Sequence, residues 1–415
     1  MTNIRNILFF LLLFVVHPSI ASEYLLEAES FSYKGGWKVD QQFMDQMGSP
    51  YLLAHGMGVP VEDAKTQLNF REKGTYHVYV RTYNWTSPWY KGKGPGCFKI
   101  QVAGKTLPTL LGCEGEKWTW QYAGKVNVKS GEVTVVLKDM TGFDGRIDAV
   151  YFTTQKDFVS PMEGNELADF RKKMLCLPAF PKEVSSYDLV VVGGGIAGMC
   201  AAVTAARMGC KVALVNDRPV LGGNNSAEVR VHLGGYSEIG PNEGLGRMLR
   251  EFGHSKKGNA QPAEYYEDDK KQNFIEAEKN VTLYANYRAV SVQMNGTKIS
   301  SVVIKHIETG EEICLKAALF SDCTGDGTIG YLAGADFRMG RESRSEFGES
   351  LAPEKADSLT MGASIQWYSK DNGKKTVFPK FNYGLEFNEN NCEKVKMGEW
   401  TWETGMNKNQ IDEAE

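Results

Sequence analysis

A glycine-rich turn after an unbroken apolar segment limits the folds open to this chain more than any other feature. Residues 187–192 read YDLVVV, a β-branched run typical of a buried parallel strand. Gly193, Gly195 and Gly198 follow without a gap in the spacing G-x-G-x-x-G. We expect Gly193 to form the tight turn, Gly195 to admit a pyrophosphate and Gly198 to let a helix pack closely on the strand.

The residues that follow this turn predict a strand–helix–strand unit that binds a dinucleotide. An alanine-rich helix is predicted up to about Met208, with Gly209 as its stop, and a second strand follows at 211–216. A phosphate would then lie on the free N–H groups at the start of the helix. Asn216 stands where an acidic residue is expected, with Asp217 beside it, and we expect these two to contact the ribose hydroxyls.

The pattern of the chain changes along its length, which predicts a multidomain fold. Between residues 22 and 154, short alternating apolar segments are separated by Gly, Pro and Asn, as is typical of an all-β sandwich. Residues 155–185 hold three prolines and no period, so we interpret them as a linker. Strand and helix patterns alternate over 186–415, which predicts an α/β domain.

The first 21 residues, MTNIRNILFFLLLFVVHPSIA, are typical of a cleaved signal peptide. Arg5 is followed by ten apolar residues, and Ser19 and Ala21 are the small residues expected before a cleavage site. We therefore expect a periplasmic or extracellular protein. Ten apolar residues are too few to cross a membrane, and no later stretch is long enough, so no membrane span is predicted. An uncleaved N-terminal anchor is the alternative.

Charge and cysteine content argue against several classes of site. The 47 Lys and Arg against 51 Asp and Glu give a net charge of −4, so no basic excess indicates nucleic-acid binding. The eight cysteines form no C-x-x-C pair, which argues against a zinc ribbon or an iron–sulfur cluster. Cys97 and Cys113 could form a disulfide in an oxidising compartment. The sequence leaves the oligomeric state open.

Three segments of the first domain, LEAES, GTYHVYVRT and RIDAVYF, resemble the carbohydrate-binding β-sandwich modules of secreted polysaccharide-active enzymes. The resemblance implies a structural calcium ion on the opening and closing carboxylates, which are Glu27, Glu29 and Asp148. The alternative is that these carboxylates are solvated strand-end residues.

Aromatic residues in the turn-rich stretch NWTSPWYKGKGPG are candidates for contact with a carbohydrate. Their faces could stack on sugar rings at an exposed loop, or they could plug the open end of the sandwich. These residues are Trp85, Trp89 and Tyr90.

Three motifs of the second domain, DRPVLGGNNS, DCTGDG and MGRESRSEFGESLAPEKADSLTMG, resemble secreted FAD-dependent oxidoreductases related to the heterodisulfide-reductase flavoprotein family. The resemblance implies FAD in a Rossmann-type domain with an inserted β-meander. Hairpin signals at Asn295-Gly296 and Thr309-Gly310 fit that insertion. It also implies that Arg218, Gly222, Gly223 and Asn224 lie along the diphosphate and flavin, and that Thr324, Gly325 and Asp326 pack near the adenosine half.

The segment SAEVRVHLGG is the candidate for the catalytic side chains. Strand alternation would put Glu228, Arg230 and His232 on one face, after the glycines that would contact the flavin. We expect Arg230 and His232 to touch the substrate; the alternative is a solvated strand face on which Glu228 pairs with a neighbour.

Together these features predict an FAD-dependent oxidoreductase that acts outside the cytosol on a small organic substrate. The sandwich alone points to a sugar derivative as substrate or partner. Two alternatives remain open: a carbohydrate-binding protein with a degenerate nucleotide fold, and an NAD-dependent, glycosidase-like oxidoreductase. No final FAD-binding segment of the kind found in the resembled group precedes Glu415, so we expect the second domain to be incomplete at its C-terminus.

Overall fold

Two antiparallel sheets form the first part of the molecule. The computed structural model describes residues 22–88, 90–156, 161–235, 238, 240–241, 243–361, 363–364, 373–375, 390 and 403–404, so the predicted signal peptide lies outside the described residues. The strands are β1 (Glu23–Glu27), β2 (Lys38–Asp40), β3 (Tyr51–His55), β4 (Ala64–Phe70), β5 (Gly74–Tyr83), β6 (Phe98–Val102), β7 (Lys105–Thr106), β8 (Thr119–Val128), β9 (Gly131–Asp139) and β10 (Phe143–Thr153). A 3-10 turn (Ala28–Ser30) and helix α1 (Met44–Met47) lie between them.

The two sheets enclose one apolar core. One sheet has the order β2-β3-β10-β5-β8, with β1 also paired to β10, and the other has the order β4-β9-β6-β7. Alternation along β5 buries Tyr76, Val78 and Val80. The buried Trp37 meets Phe98 edge to face, with ring centroids 5.7 Å apart. The sandwich predicted from the alternating pattern is therefore present in the structure.

A helix crosses the junction that the sequence suggested was a linker. Helix α2 (Gly164–Met174) buries Leu167 and Arg171, and its apolar residues Leu167, Phe170 and Met174 recur at helical spacing. The Arg171 guanidinium lies 2.5 Å from Asp148 Oδ2, and the Arg81 guanidinium lies 2.8 Å from the same oxygen. Burial raises the pKa of Asp148, but these two cations outweigh it and hold the pKa below its usual value.

The second part of the molecule is built on a seven-stranded sheet. Its strands are β11 (Lys182–Glu183), β12 (Tyr187–Val192), β13 (Val212–Asn216), β14 (Val281–Ala285), β15 (Tyr287–Asn295), β16 (Lys298–His306) and β17 (Glu312–Asp322). Its helices are α3 (Ile196–Arg207), α4 (Arg247–Phe252), α5 (Asp268–Glu276), α6 (Thr328–Leu332) and α7 (Arg344–Phe347), with 3-10 turns at Gly223–Asn225 and Ala263–Tyr266. Strands β18 (Ala363–Ser364) and β19 (Glu403–Thr404) form a separate pair.

Strand directions in this sheet follow from its connections. The order is β14-β13-β12-β17-β16-β15; the first four strands are parallel to their neighbours, and β15, β16 and β17 are antiparallel. The turns of this meander contain Gly296 at φ +61° and Gly310 at φ +72°, as the hairpin signals predicted. Helix α3 crosses between β12 and β13 and ends before Gly209 at φ +95°.

Two cysteines of the sandwich lie close together. Cys97 and Cys113, which could form a disulfide, are free thiols in the structure. A hydrogen bond from the Cys97 thiol lowers the pKa of Cys113 to about 7. No helix among the described residues is long and apolar enough to cross a membrane.

We expect the substitution Asp148→Asn to lower the free energy of unfolding by roughly 3–5 kcal/mol, because two buried guanidiniums would lose the carboxylate that they share. The measurement is urea denaturation of the full chain. Asp144→Asn is the matched control on the same strand, since Asp144 pairs with the exposed His55, and we expect a loss of about 1 kcal/mol or less. Equal losses in the two variants would contradict the role of the buried cluster.

Candidate functional site

A cavity of about 590 Å³ lies at the carboxyl ends of the parallel strands. Three segments converge on it: the turn after β12, the loop after β13 and the turn after β17. Carboxyl ends of parallel strands are where open α/β sheets bind their ligands. The lining includes eleven of the residues that the sequence suggested for a cofactor: Gly193, Gly195, Asn216, Asp217, Arg218, Gly222, Gly223, Asn224, Thr324, Gly325 and Asp326.

The three motif glycines differ in what surrounds them. A Cβ on Gly198 would lie 1.8 Å from the Gly193 carbonyl oxygen, and one on Gly193, at φ +108°, would lie 2.2 Å from the Cys323 carbonyl oxygen. These two glycines serve packing, and Gly198 lies behind the cavity wall. A Cβ on Gly195 would meet only the Gly223 Cα at 3.9 Å, so Gly195 faces open space at the start of α3.

The residue at the end of β13 braces the following loop. The buried Asn216 amide donates hydrogen bonds to the Arg218 carbonyl at 2.8 Å and the Val220 carbonyl at 2.9 Å. Both of its amide hydrogens are thus used within the loop. Asp217 and Arg218 also line the cavity, and the Arg218 guanidinium lies 3.6 Å from the carboxylate of Glu228, another lining residue. Burial raises the pKa of Glu228, against the opposing charge of Arg218.

A buried ion pair supports the loop that holds Gly222 and Gly223. Lys271 is fully buried, and its ammonium lies 3.2 Å from Asp268. Asp268 in turn accepts a hydrogen bond from the Ala227 N–H at 3.0 Å. The Gly222 N–H donates to the Gly194 carbonyl at 2.9 Å, so the two glycine-rich segments are bonded to each other. The i,i+3 spacing of Asp268 and Lys271 on helix α5 was the available sequence signal for this pair, but nothing in the sequence showed that Lys271 is buried.

The turn after β17 is organised by Asp322, which the sequence analysis missed. Its carboxylate accepts hydrogen bonds from the Thr324 hydroxyl at 2.7 Å and the Ile329 N–H at 2.7 Å. Burial raises the pKa of Asp322, but these hydrogen bonds outweigh it and lower the pKa below its usual value. An Asx turn at the end of a strand was the available sequence signal.

The strand predicted for residues 226–235 is wrong, because this stretch forms turns and irregular loop. Arg230 takes a left-handed conformation at φ +63°, and its carbonyl accepts hydrogen bonds from the Tyr266 hydroxyl at 2.6 Å and the Ala260 N–H at 2.9 Å. Its guanidinium Nε donates to the Ala227 carbonyl at 2.9 Å. Arg230 is absent from the cavity lining, whereas Glu228 and His232 are part of it.

The hydrogen bonds of His232 define its tautomer. Asn259 Oδ1 accepts the His232 backbone N–H at 3.0 Å and lies 2.7 Å from His232 Nδ1. Because this oxygen can only accept, Nδ1 carries a hydrogen, and Nε2 is the basic nitrogen of the neutral ring. A cavity-lining imidazole held in this way can take up a proton at Nε2.

Other cavity residues had no motif to mark them. Asn225 is buried and lines the cavity, and its Oδ1 has no hydrogen-bond partner among the described residues. Tyr287 and Arg288 reach the lining from the start of β15. Only their position just after a parallel strand, β14, could have indicated them.

Two of the three predicted sugar-contact residues are half-buried in the structure. Trp85 is half-buried; its indole N–H donates to the Phe143 carbonyl at 3.1 Å, and the Arg146 guanidinium lies 5.5 Å from its ring centroid. Tyr90 is half-buried, and its N–H donates to the Thr86 carbonyl. Trp89 lies outside the described residues.

The predicted calcium ligands lie in one buried cluster that also contains an arginine. Glu27, Glu29 and Asp148 are all buried, but the Arg171 guanidinium contacts both Asp148 and Glu27, with Nε 3.5 Å from Glu27 Oε1. In the described part of the chain, no group of three or more His, Cys, Asp or Glu side chains could hold a metal ion. The Arg171 guanidinium therefore lies at the position predicted for a calcium ion.

Comparison with known proteins adds family information to this geometry. A family model described as FAD dependent oxidoreductase matches residues 188–413. The soluble pyridine nucleotide transhydrogenase of Ectopseudomonas mendocina (strain ymp) is 56% identical over 41 residues, which span 10% of this chain and only 9% of that protein.

Solved structures of two kinds align with portions of the chain. A family 35 carbohydrate binding module from Clostridium thermocellum aligns with 32% of this chain and 97% of its own, at 19% identity and a TM-score of 0.26. A myxobacterial chondrochloren halogenase, described as a variant of FAD-dependent halogenases, aligns with 39% of this chain and 41% of its own, at 17% identity and a TM-score of 0.28.

We expect the melting temperature of the full chain to be the same in excess calcium chloride and in excess EDTA, because the Arg171 guanidinium already pairs with Glu27 and Asp148. Differential scanning fluorimetry makes the measurement. The variant Arg171→Gln, which removes that cation, should melt at a lower temperature. A calcium-dependent rise in the melting temperature of the wild-type chain would show that a metal site exists there.

Proposed function

The chain belongs to the FAD dependent oxidoreductase family, whose model matches residues 188–413, and we propose that it binds FAD in the cavity at the carboxyl ends of β12, β13 and β17 and oxidises or reduces a small organic substrate there. The observation that carries this proposal is the convergence of three glycine-containing segments on one cavity of about 590 Å³. Ligand cavities of about 300–1,000 Å³ are typical of small-molecule and cofactor sites.

The start of helix α3 is suited to the diphosphate of FAD. Gly195 precedes the first helical turn and leaves open space where a side chain would stand. Ile196 and Ala197 also line the cavity there, and the unpaired N–H groups of a first turn favour an anion. Backbone donors next to open space are what a bound diphosphate requires.

Part of the cavity lining is suited to an apolar ring system. Val229, Val231 and Leu233 supply apolar surface there. Apolar walls of this kind fit an isoalloxazine ring better than a second phosphate.

The proposed chemistry divides between cofactor and protein. Bound flavin supplies electron or hydride transfer. His232 is the proposed general base, because Asn259 holds its Nδ1 hydrogen and leaves Nε2 free to take a proton from a substrate hydroxyl or amine. We assign Arg230 to loop positioning, since both its backbone and its side chain are hydrogen-bonded within the loop.

The substrate class and location are proposed on separate grounds. A sugar derivative is proposed because the sandwich precedes the flavin domain and carries an aromatic loop at Trp85 and Tyr90. Action in the periplasm or outside the cell is proposed from residues 1–21, with their basic start, apolar centre and small residues at the end.

We expect the purified full chain to show flavin absorption bands in the visible spectrum and to release FAD on heating. The variant Gly195→Ala should fold normally but bind FAD at least about tenfold more weakly, because its methyl group would occupy the space of the diphosphate. Fluorescence titration of the apoprotein with FAD gives the dissociation constant.

The matched control is Gly330→Ala in helix α6, where a Cβ would meet only the Ala335 Cβ at 4.0 Å. This variant should bind FAD like the wild type. A colourless protein that takes up no FAD would refute the proposed cofactor, and equal FAD affinity of Gly195→Ala and the control would refute the proposed position of the diphosphate. Binding of NAD in place of FAD would favour the NAD-dependent alternative.

A further inference from the structure

One loop of the sandwich touches the rim of the cofactor cavity. This loop, residues 41–48, precedes β3 and includes helix α1. The Gln41 side-chain amide donates a hydrogen bond to the Asp217 carbonyl at 2.6 Å. Asp45 forms an ion pair with Arg288 at 2.8 Å. The Gly48 carbonyl accepts a hydrogen bond from the Lys305 ammonium at 2.7 Å.

Two of the residues that this loop contacts, Asp217 and Arg288, belong to the lining of the cavity. Asp217 follows β13 and Arg288 lies at the start of β15, so they belong to different segments of the lining. One loop of the other domain therefore joins two walls of the same cavity. No sequence motif connects residues 41–48 with either wall, because the contacts span 176 and 243 positions of the chain.

We propose that loop 41–48 is a working part of the cofactor site: it fixes Asp217 and Arg288 in position and thereby strengthens FAD binding. This inference rests on the proposed function. A wall that is already ordered loses less entropy when a ligand binds. Coupling of this kind is reciprocal, so bound FAD also strengthens the docking of the sandwich on the flavin domain.

We expect the two contacts to contribute differently to FAD binding. Gln41 is half-buried, and its Oε1 is shielded from solvent, so its hydrogen bond to Asp217 forms in a partly dry junction. The side chain of Asp45 is 84% exposed, and exposed ion pairs contribute little and are screened by salt. Gln41 is therefore the principal positioning residue, and Asp45 adds a smaller, salt-sensitive contribution.

The experiment is a fluorescence titration of FAD into full-length apoprotein. We expect Gln41→Ala to raise the FAD dissociation constant about three- to tenfold, the range that corresponds to one such hydrogen bond. Asp45→Asn should raise it about twofold at low salt and leave it unchanged at high salt. Gln42→Ala is the matched control, because Gln42 is the exposed neighbour whose contact with Asp40 uses only its backbone N–H.

A second variant and a second measurement guard against a folding artefact. Gln41→Glu keeps the size of the side chain but removes the donor to Asp217, so it should weaken FAD binding like Gln41→Ala. Hydrogen exchange measured on the loop should slow on addition of FAD in the wild type and change less in either Gln41 variant.

The outcomes separate the two proposals. A wild-type chain that takes up no FAD overturns the proposed function. A wild-type chain that binds FAD, with Gln41 variants that match Gln42→Ala in affinity and in loop exchange, overturns the inference about the loop alone. Weaker FAD binding together with loss of the FAD effect on loop exchange supports it.

Discussion

The contact of three backbone segments at Gly193 and Gly198 is the constraint on which the second half of the molecule depends. The start of α3 lies against the end of β12 so closely that even a methyl group on Gly198 would overlap a carbonyl oxygen, and Gly193 lies equally close to the end of β17. The floor of the cavity is therefore made of backbone. The shape of this floor depends on the backbone, whereas the rest of the lining is formed by side chains.

This floor was predictable because the interactions that form it are local. A buried strand, a glycine turn and an alanine-rich helix all fall within 187–209, so the spacing of residues determines the structure. The membership of the FAD-dependent oxidoreductase family was also predictable, from motifs in fixed order. The hydrogen bonds of Asp322 are local as well, because its partners lie within eight residues of it.

The incorrect expectations concern residues whose environment comes from distant parts of the chain. The alternating letters of EVRVH are typical of a strand, yet Tyr266 and Ala260 bond the Arg230 carbonyl and hold the segment in a loop. The prediction of calcium at the acidic cluster took no account of Arg171, because nothing in the sequence near these carboxylates reveals it. Burial raises the pKa of Glu27 to about 7, against the opposing charge of that arginine. Pairing across such sequence distances has no periodic signature.

The pairing of β1 with β10 has a consequence for how the sandwich is connected to the rest of the chain. Glu23 is the register partner of Thr153, so the first and last strands of the sandwich lie side by side. Helix α2 then packs on the sandwich through Leu167 and Arg171 before the chain reaches β11. Contacts between the two parts of the molecule include the ion pairs of Lys34 with Glu308 and of Lys172 with Glu312, in addition to the loop before β3. Because salt screens partly exposed ion pairs, we expect these contacts to weaken as the ionic strength rises.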